Sequence, residues 1–447
     1  MLSKKQYALQ EAKWLTTIPM DWRPFRLKEV VRVSPPCSGN GPNMGEACSV
    51  IPMASVTETG DFNDYETEDY EIIPSGLTNF EDGDVIFAKI TPCMENGKGA
   101  FVEKLKTKYA FGSTEFHVLR PNYLIDGKFL YYYSFDPEYR KYAAENMTGA
   151  AGQKRVSTRF IEYTPVFLPD LPEQKRIAVF LERQCDSIDK VLEIKKEQLT
   201  ILEDLRKSII HKAVTKGLDN SVELVDSGVE WIGKIPKGWK VERLKTVISY
   251  ICRGNSPVYD DDGTVKVINQ ACIYHEGLKL ENVKYHQSED VTFFKGKLAQ
   301  GDLLVNSTGT GTLGRSCIFI LNKEDYIADG HVTIVRGQPN TLHNKYLHYF
   351  LYDKREMLEQ VCALGATNQI ELQREKFRVF LIPCPKFEVQ NKISIYLDKQ
   401  CQDFKVLIAN INKQISYLEG YRKALIHECV TGKRRITDQD LKEWINV

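Results

Sequence analysis

The chain contains one helical segment twice, as Leu202-Glu-Asp-Leu-Arg-Lys-Ser-Ile-Ile-His-Lys-Ala-Val-Thr215 and as Leu418-Glu-Gly-Tyr-Arg-Lys-Ala-Leu-Ile-His-Glu-Cys-Val-Thr431. Eight identical residues recur at one constant separation, that between Leu202 and Leu418, which we call the repeat separation. Two further pairs keep nearly this separation: Trp14-Leu-Thr-Thr-Ile-Pro-Met-Asp-Trp22 with Trp231-Ile-Gly-Lys-Ile-Pro-Lys-Gly-Trp239, and Gly83-Asp-Val-Ile-Phe87 with Gly301-Asp-Leu-Leu-Val305. The chain is therefore a duplication of a whole module rather than a solenoid of short repeats.

Composition limits the class of protein. The 447 residues, 42% of them hydrophobic, allow two to four globular domains. No uncharged apolar stretch of about 18 residues occurs and no secretory signal is visible, so we expect a cytoplasmic protein without membrane association. The 60 basic and 60 acidic residues cancel, whereas a protein that binds DNA alone and without sequence preference usually has a basic surplus. The eleven cysteines form no Cys-x-x-Cys pair, which favours reduced, structural thiols over a zinc site.

The pattern within each half predicts an α+β fold. Short runs rich in Val, Ile, Phe and Tyr alternate with Gly, Asn, Asp and Pro clusters, which indicates a mixed, mainly β domain. At Leu168-Pro-Asp-Leu-Pro-Glu-Gln174 a long helix begins, because Asp170 and Glu173 are typical of a capping box and Pro172 suits a first helical turn. Apolar residues then recur every three or four positions, as in a coiled coil. These residues are Ile177, Leu181, Ile188, Leu192, Leu199, Leu202 and Ile209, followed in the second half by Ile393, Leu397, Phe404, Leu407, Ile411, Ile415, Leu418 and Leu425.

Each long helix needs a partner for its apolar stripe, and the other copy is the obvious one. We therefore predict two mixed, mainly β globular domains separated by two long antiparallel coiled-coil helices, with a pseudo-twofold axis. The expected boundaries are 1–170 for the first globular domain, 171–217 for the first spacer helix, 218–383 for the second globular domain, and 384–447 for the second spacer helix with a C-terminal tail.

Catalytic and cofactor motifs are weak. Gly309-Thr-Gly-Thr-Leu-Gly314 matches the glycine spacing of a dinucleotide-binding loop, but the next residues predict a strand where such a site needs a helix. Asp170, Glu173 and Lys175 superficially resemble a nuclease motif and are better explained by helix capping. His211 and His427 lie near helix ends, where we expect them to pair with last-turn carbonyls. We find no catalytic residues and predict no metal site.

Basic and amide side chains on glycine-flanked loops remain, and they suit phosphate oxygens and the edges of bases. The loop at residues 149–159 and its counterpart at 365–374 keep one glutamine at the repeat separation, while the neighbouring charges differ. This divergence favours two sites of different specificity over ordinary solvated loops. The predicted DNA-contacting residues are Lys89, Asn96, Lys98, Gln153, Lys154, Arg155, Arg159, Arg253, Asn255, Ser307, Thr308, Thr310, Arg315, Asn368, Gln369 and Arg374.

The chain resembles the specificity subunit of a type I restriction-modification system. The marks are the two Trp-x-x-x-Ile-Pro-x-x-Trp motifs, Leu168-Pro-x-Leu-Pro-Glu-Gln174, Leu-Glu-x-x-Arg-Lys at 202 and 418, and Asp226-Ser-Gly-Val-Glu-Trp-Ile-Gly233. One departure is Pro383-Cys-Pro-Lys-Phe-Glu-Val-Gln390, where the second long helix opens without a Leu-Pro-Glu-Gln motif.

The resemblance implies two target-recognition domains, each reading one half of a bipartite double-stranded DNA target. It also implies that the helices set the spacing and dock two methyltransferase subunits, with restriction or motor subunits as further partners. The chain itself would bind no cofactor, because S-adenosylmethionine and ATP would bind to partner subunits. Two alternatives stay open: an autonomous enzyme that binds a nucleotide at the Gly309 loop, and a coiled-coil scaffold that does not contact DNA.

Overall fold

The computed structural model describes residues 11–442, except residues 13, 16, 64, 151, 288–294, 323–325 and 366–369. Contacts divide the chain into two compact units. Unit 1 comprises residues 1–195 and 413–447, and unit 2 comprises residues 196–412. Each unit therefore contains a globular part and sections of both long helices.

Unit 1 is built around two four-stranded sheets. Its strands are β1 (Arg23–Arg26), β2 (Val31–Val33), β3 (Ala47–Ile51), β4 (Glu66–Asp69), β5 (Thr78–Phe80), β6 (Val85–Ala88), β7 (Gly99–Phe101), β8 (Ala110–Gly112), β9 (Phe116–Pro121) and β10 (Pro165–Leu168). One sheet has the order β2-β9-β6-β7 and the other β4-β3-β8-β5, while β1 pairs with β10. The short helices are α1 (Leu27–Val30), α2 (Gly127–Ser134), α3 (Pro137–Glu145) and α4 (Thr158–Tyr163).

The first long helix, α5 (Leu171–Lys216), has 46 residues and belongs to both units. At about 1.5 Å per residue it is roughly 70 Å long. The predicted cap is confirmed in one half: the Asp170 carboxylate accepts from the Glu173 amide at 2.9 Å. The Glu173 carboxylate instead forms an ion pair with Arg435 at 2.9 Å, so its role is to bind the C-terminal segment.

Unit 2 repeats the frame. Its strands are β11 (Leu224–Asp226), β12 (Lys234–Pro236), β13 (Lys240–Arg243), β14 (Ile248–Arg253), β15 (Val265–Ile268), β16 (Ile273–Tyr274), β17 (Gly277–Leu278), β18 (Lys284–His286), β19 (Leu303–Asn306), β20 (Ser316–Ile318), β21 (Tyr326–Ala328), β22 (Val332–Gly337), β23 (Ala363–Leu364), β24 (Glu371–Leu372) and β25 (Leu381–Cys384). The order β14-β22-β19-β20 matches the first sheet of unit 1, β18-β15-β21 matches part of the second, and β13 pairs with β25 as β1 does with β10.

The helices of unit 2 complete the repeat. They are α6 (Leu244–Val247), α7 (Asn344–Asp353), α8 (Arg355–Cys362), α9 (Arg374–Arg378) and the second long helix α10 (Phe387–Val430), while α11 (Asp438–Lys442) belongs to unit 1. The second long helix begins later than the predicted position 384, because β25 continues through Cys384 and Pro385 follows it.

Within each unit, the start of one long helix packs against the end of the other. In unit 1, Ile177 and Leu181 of α5 share a core with Ile426 of α10. In unit 2, Val214 of α5 shares a core with Ile393 of α10. Each unit therefore contains sections of the two long helices in antiparallel orientation, as predicted. The fold class is confirmed. One stripe residue is misassigned: Leu407 is 49% exposed.

Two glutamines hold these helix starts to the globular parts. Gln174 donates to the carbonyls of Leu124 at 3.1 Å and Pro169 at 3.0 Å. Gln390, its repeat equivalent, donates to the carbonyls of Thr341 at 2.9 Å and Pro385 at 2.8 Å. The second helix therefore keeps this contact although the Leu-Pro-Glu-Gln motif is missing from the sequence.

Candidate nucleic-acid interface

In unit 1, the loop after β6, which contains the predicted residues Lys89, Asn96 and Lys98, is hydrogen-bonded to the predicted loop at residues 149–159. The loop after β6 runs beside the segment that precedes α4: the Thr91 amide donates to the Lys154 carbonyl at 3.0 Å, and the Val156 amide donates to the Lys89 carbonyl at 2.9 Å. These bonds fix the backbone, so side chains from both loops are presented from one supported surface.

Unit 2 joins its equivalent loops in the same way. The Gly309 amide donates to the Ile370 carbonyl at 3.2 Å, and the Leu372 amide donates to the Ser307 carbonyl at 2.7 Å. The glycine-rich segment connects the antiparallel strands β19 and β20 instead of opening a helix. Its role is therefore that of a strand-to-strand loop, and the geometry of a dinucleotide site is missing from this segment.

A bidentate ion pair organises the loops of unit 1. The Arg155 guanidinium donates to the Glu115 carboxylate through Nε at 2.9 Å and Nη2 at 2.7 Å. These hydrogen bonds lower the pKa of Glu115, so its carboxylate stays charged. Arg155 is thus held in one orientation, and a base or phosphate would have to share it with Glu115.

Unit 2 has different residues at the positions equivalent to this pair. At the repeat separation, His331 corresponds to Glu115, and Glu371 corresponds to Arg155. Glu371 forms an ion pair with Arg253 of β14, whose Nε also donates to the Gly330 carbonyl at 2.8 Å. Burial lowers the pKa of Arg253.

A polar cluster lies beside this pair in unit 2. The Thr308 hydroxyl donates to the Gln270 Oε1 atom at 3.2 Å, and 2.9 Å separates it from Nδ1 of His331. His331 is exposed and Gln270 is half-buried. An oriented glutamine amide and a histidine ring can hydrogen-bond base edges.

Sequence reasoning missed Glu115, Gln270, His331 and Glu371. Comparison of the two halves at a fixed separation could have found three of them, because a charge changes at each equivalent position. Gln270 gives no such signal.

The structure divides the remaining predicted residues by accessibility. The side chains of Asn96, Gln153, Lys154 and Arg159 are exposed in unit 1. Lys98 is half-buried and donates to the Met53 carbonyl at 3.2 Å, and Lys89 is half-buried beside Glu115. The four exposed side chains are accessible to solvent, and Arg155 is half-buried.

In unit 2 the predicted residues have more varied surroundings. Thr310 and Arg374 are exposed, Asn255 is half-buried, and the Arg315 guanidinium lies 5.3 Å from the ring centre of Tyr274. Ser307 is fully buried, 2.5 Å from the Thr333 hydroxyl, so its side chain supports the loop and is not available to DNA in this conformation. Asn368 and Gln369 lie outside the described residues.

The Nδ1 atoms of the two repeat histidines contact aspartate carboxylates rather than backbone carbonyls. His427 donates through Nδ1 to the Asp136 carboxylate at 3.0 Å, and His211 does the same to Asp353 at 3.0 Å. The expected pairing with last-turn carbonyls is therefore wrong for these Nδ1 atoms, because an aspartate of the globular part reaches each ring: Asp136, the N-cap of α3, and Asp353, the last residue of α7. These histidines join helix ends to the globular parts.

Two other kinds of feature are absent from the residues that the structure describes. Among them, no group of three or more His, Cys, Asp or Glu side chains is arranged to hold a metal ion. Within the same part of the chain, no helix combines the length and apolar character required to cross a membrane.

The chain is similar to known proteins over most of its length. The family model of the type I restriction modification DNA specificity domain matches residues 19–209 and 236–417. The EcoAI specificity subunit of a type I restriction enzyme from Escherichia coli is 32% identical over 200 residues, which are 42% of this chain and 34% of that subunit. The EcoEI specificity subunit from the same species is 32% identical over 178 residues, 39% of this chain and 30% of that subunit. The matched stretches thus span about a third of these two relatives.

A longer match and two solved structures extend the similarity. The MjaVIII specificity subunit from Methanocaldococcus jannaschii is 24% identical over 347 residues, 74% of this chain and 76% of that one. A chain from a structural study of the assembly of a type I R-M system superposes with a TM-score of 0.73 at 20% identity, covering 93% of this chain and 99% of that one. The HsdS subunit from Thermoanaerobacter tengcongensis superposes with a TM-score of 0.54 at 19% identity, covering 94% and 99%. These two structures support the fold, and because the family model matches both halves, the chain belongs to the family of type I restriction-modification DNA specificity domains.

Proposed function

We propose that this chain is the non-catalytic DNA specificity subunit of a type I restriction-modification complex. Unit 1 reads one half of a bipartite double-stranded target and unit 2 reads the other half. The observation that carries this proposal is the pair of joined loops, which recurs in both units with different charged residues. Equivalent frames with unlike side chains suit two half-sites of different sequence.

The loops of unit 1 supply two kinds of DNA contact. Lys154 is exposed and suits a phosphate, which gives affinity without sequence information. Gln153 and Arg155 have the amide and guanidinium groups that pair with adenine and guanine edges. In unit 2 the corresponding roles fall to Arg374 for phosphate and to Gln270 and His331 for base edges.

The long helices provide a surface for two copies of one partner. Ile201 and Leu205 of α5 are 64% and 47% exposed. Their repeat equivalents on α10 are Tyr417 and Tyr421, which are 65% and 50% exposed. Residues four apart lie on the same side of a helix, so each pair forms an apolar patch. Large exposed apolar groups that recur at the same repeat position favour docking of two methyltransferase subunits.

In this proposal the helices set the distance between the half-sites, and partner subunits bind S-adenosylmethionine and ATP. The chain contributes recognition and assembly, and methylation and cleavage occur on its partners, which include a restriction or motor subunit in a restricting complex.

The test is to reconstitute the chain with its methyltransferase subunit and map modified bases in exposed DNA. We expect a bipartite target with a fixed spacer. Replacement of residues 14–170 with those of another family member should change one half-site and leave the other and the spacer intact. Unchanged methylation after this replacement would contradict the proposal, and complex formation without sequence-specific DNA contact would favour a scaffold.

A further inference from the structure

Unit 2 contains a cavity of about 310 Å³ between its globular part and the long helices. Side chains from α5, α7, α10 and the turn between β16 and β17 line it. Its lining includes Arg206, His275, Glu276, His348, Tyr352, Asp398 and Lys405.

In unit 1 two of the equivalent residues have partners within the chain. Arg422, equivalent to Arg206, forms an ion pair with Asp189 at 3.1 Å. The Tyr131 hydroxyl, equivalent in position to His348, donates to the Thr59 carbonyl at 3.0 Å. Unit 1 therefore supplies a carboxylate to its buried arginine from within.

Unit 2 has no carboxylate at that position. The repeat equivalent of Asp189 is Lys405, so the position that neutralises the arginine in unit 1 adds a second positive charge in unit 2. The acids that remain are poor substitutes. Both oxygens of Asp398 are engaged, by Lys345 at 2.5 Å and Tyr349 at 2.8 Å. Glu276 is half-exposed and 3.7 Å from Arg206.

Two buried nitrogen atoms at the cavity have no hydrogen-bond partner among the residues that the structure describes. They are Nε of Arg206 and Nδ1 of His275. The other end of the Arg206 guanidinium is held, because its Nη2 donates to the Tyr352 hydroxyl at 2.8 Å. A buried polar group without a partner is unfavourable, so the cavity is suited to a group that accepts hydrogen bonds here.

The charged side chains around His275 also favour a negatively charged group in the cavity. Burial, followed by charge interactions with His348 and then with Arg355, Arg315 and Arg206, lowers the pKa of His275 to about 3. The ring is therefore neutral at pH 7 in a positively charged environment. A carboxylate would be stabilised there by Arg206 and Lys405.

We propose that this cavity receives an aspartate or glutamate side chain of a docked methyltransferase subunit, whose carboxylate takes the role of Asp189 in unit 1. This inference rests on the proposed docking of that subunit to the long helices. Val406 and Leu407, each 49% exposed, follow Lys405, and exposed Leu205 precedes Arg206. A charged pocket with neighbouring exposed apolar side chains is the arrangement of a protein-binding hot spot, which favours a protein carboxylate over a free small anion.

The test compares Lys405→Asp with Lys399→Asp in the full-length chain. Lys405→Asp places a carboxylate at the position of Asp189, so Arg206 becomes paired from within and the chain stays folded. Lys399 is exposed on the same helix and does not line the cavity. Lys399→Asp is therefore the matched control, because it makes the same charge change away from the cavity. In titration calorimetry with the methyltransferase subunit, we expect Lys405→Asp to weaken one binding phase about tenfold or more, with reduced salt dependence. Lys399→Asp should bind like the original chain, and thermal unfolding should show both variants intact.

Three outcomes overturn the inference. Unchanged affinity of the Lys405→Asp chain would overturn it while leaving the proposed function intact. Binding of citrate or inorganic phosphate to the isolated chain, lost in Lys405→Asp without any change in subunit affinity, would assign the cavity to a small anion instead. Failure of the original chain to bind any methyltransferase subunit would overturn the proposed function and this inference together.

Discussion

Where the predicted DNA-contacting loops join, unit 1 pairs Arg155 with Glu115, whereas unit 2 has Glu371 and His331 at these positions. A neighbouring pair does not change. The buried carboxylate of Asp84 accepts from Arg120 at 2.7 Å, and that of Asp302 accepts from Arg336 at 2.9 Å. A buried acid without its partner would be strongly unfavourable, so the frame retains this pair. Exposed pairs contribute little to stability and were free to diverge.

The long helices show the same contrast between retained and divergent contacts. His211 with Asp353 and His427 with Asp136 keep both helix ends attached to the globular parts. In contrast, unit 1 pairs Arg422 with Asp189, whereas unit 2 has Arg206 and Lys405 at the equivalent positions. Among these contacts, the divergent ones lie in the loops and at one cavity, and both are places where we propose that another molecule binds.

The equivalent tryptophans provide the largest expected difference between the units. Trp22 is 1% exposed and packs near Phe129, whereas Trp239 is half-buried. Trp22→Ala should lower the free energy of unfolding by about 3–5 kcal/mol, and Trp239→Ala by about 2 kcal/mol. Urea unfolding followed by circular dichroism measures both changes. Equal losses would show that the two positions are packed alike.

The ion pair of unit 1 should respond strongly to the residue found in unit 2. Asp189→Lys leaves the largely buried Arg422 beside a second cation and should destabilise the chain by about 2 kcal/mol, less than a fully buried pair because Asp189 is partly exposed. Asp189→Asn, which removes only the negative charge, is the matched control and should have a smaller effect. Thermal unfolding at pH 7 compares the two variants. If Asp189→Lys unfolds at the same temperature as the original chain, the ion pair adds no stability.

Acidification should affect unit 2 through His348, where unit 1 has Tyr131. Burial lowers the pKa of His348 from 6.5 to about 4, so the folded state favours the neutral ring. The free energy of unfolding therefore keeps its full value above pH 6.5 and decreases as the pH falls from 6.5 towards 4. In this range the unfolded chain binds a proton at His348 and the folded chain does not. Between pH 7.5 and pH 5 this residue should account for a loss of about 2 kcal/mol.

His348→Tyr, which copies unit 1, should remove that share of the pH dependence. The chain would keep similar contributions from His117 and His275, because burial lowers the pKa of His117 to about 4 and that of His275 to about 3. The measurement is the difference between urea unfolding free energies at the two pH values for each protein. An identical difference in the variant would show that His348 does not titrate as described.

The smallest expected effect distinguishes phosphate contacts from base contacts in unit 1. Lys154→Ala should weaken DNA binding by the reconstituted complex similarly for all sequences and reduce the slope of log affinity against log salt by about 1. Arg155→Ala should instead relax the base preference within one half-site. Binding assays at several salt concentrations with a set of single-base variants separate the two. A sequence-dependent effect of Lys154→Ala would reverse their roles.

Much of the architecture could be predicted because its signals are local. Strands such as β19 and β20 follow from runs of β-branched and apolar residues. The long helices follow from three- and four-residue spacing and from the cap at Asp170. The candidate site was harder to predict: the loops were found from their composition, but Ser307 proved buried and Glu115, Gln270, His331 and Glu371 were missed. Composition does not reveal which side chain a buried hydroxyl or a guanidinium will meet.

The sequence by itself determined that this protein is a duplicated module with two long amphipathic helices and two divergent sets of loops. These features depend on periodicity and on identity at a fixed separation, which are properties of the chain read in order. Only the tertiary structure decided which distant residues meet. It placed Gln390 in the role of Gln174, joined the loop at Gly309 to Ile370, and left Arg206 and Lys405 lining one cavity where Arg422 pairs with Asp189. Such contacts join residues far apart in sequence, and they form because buried polar groups need partners wherever the fold brings them.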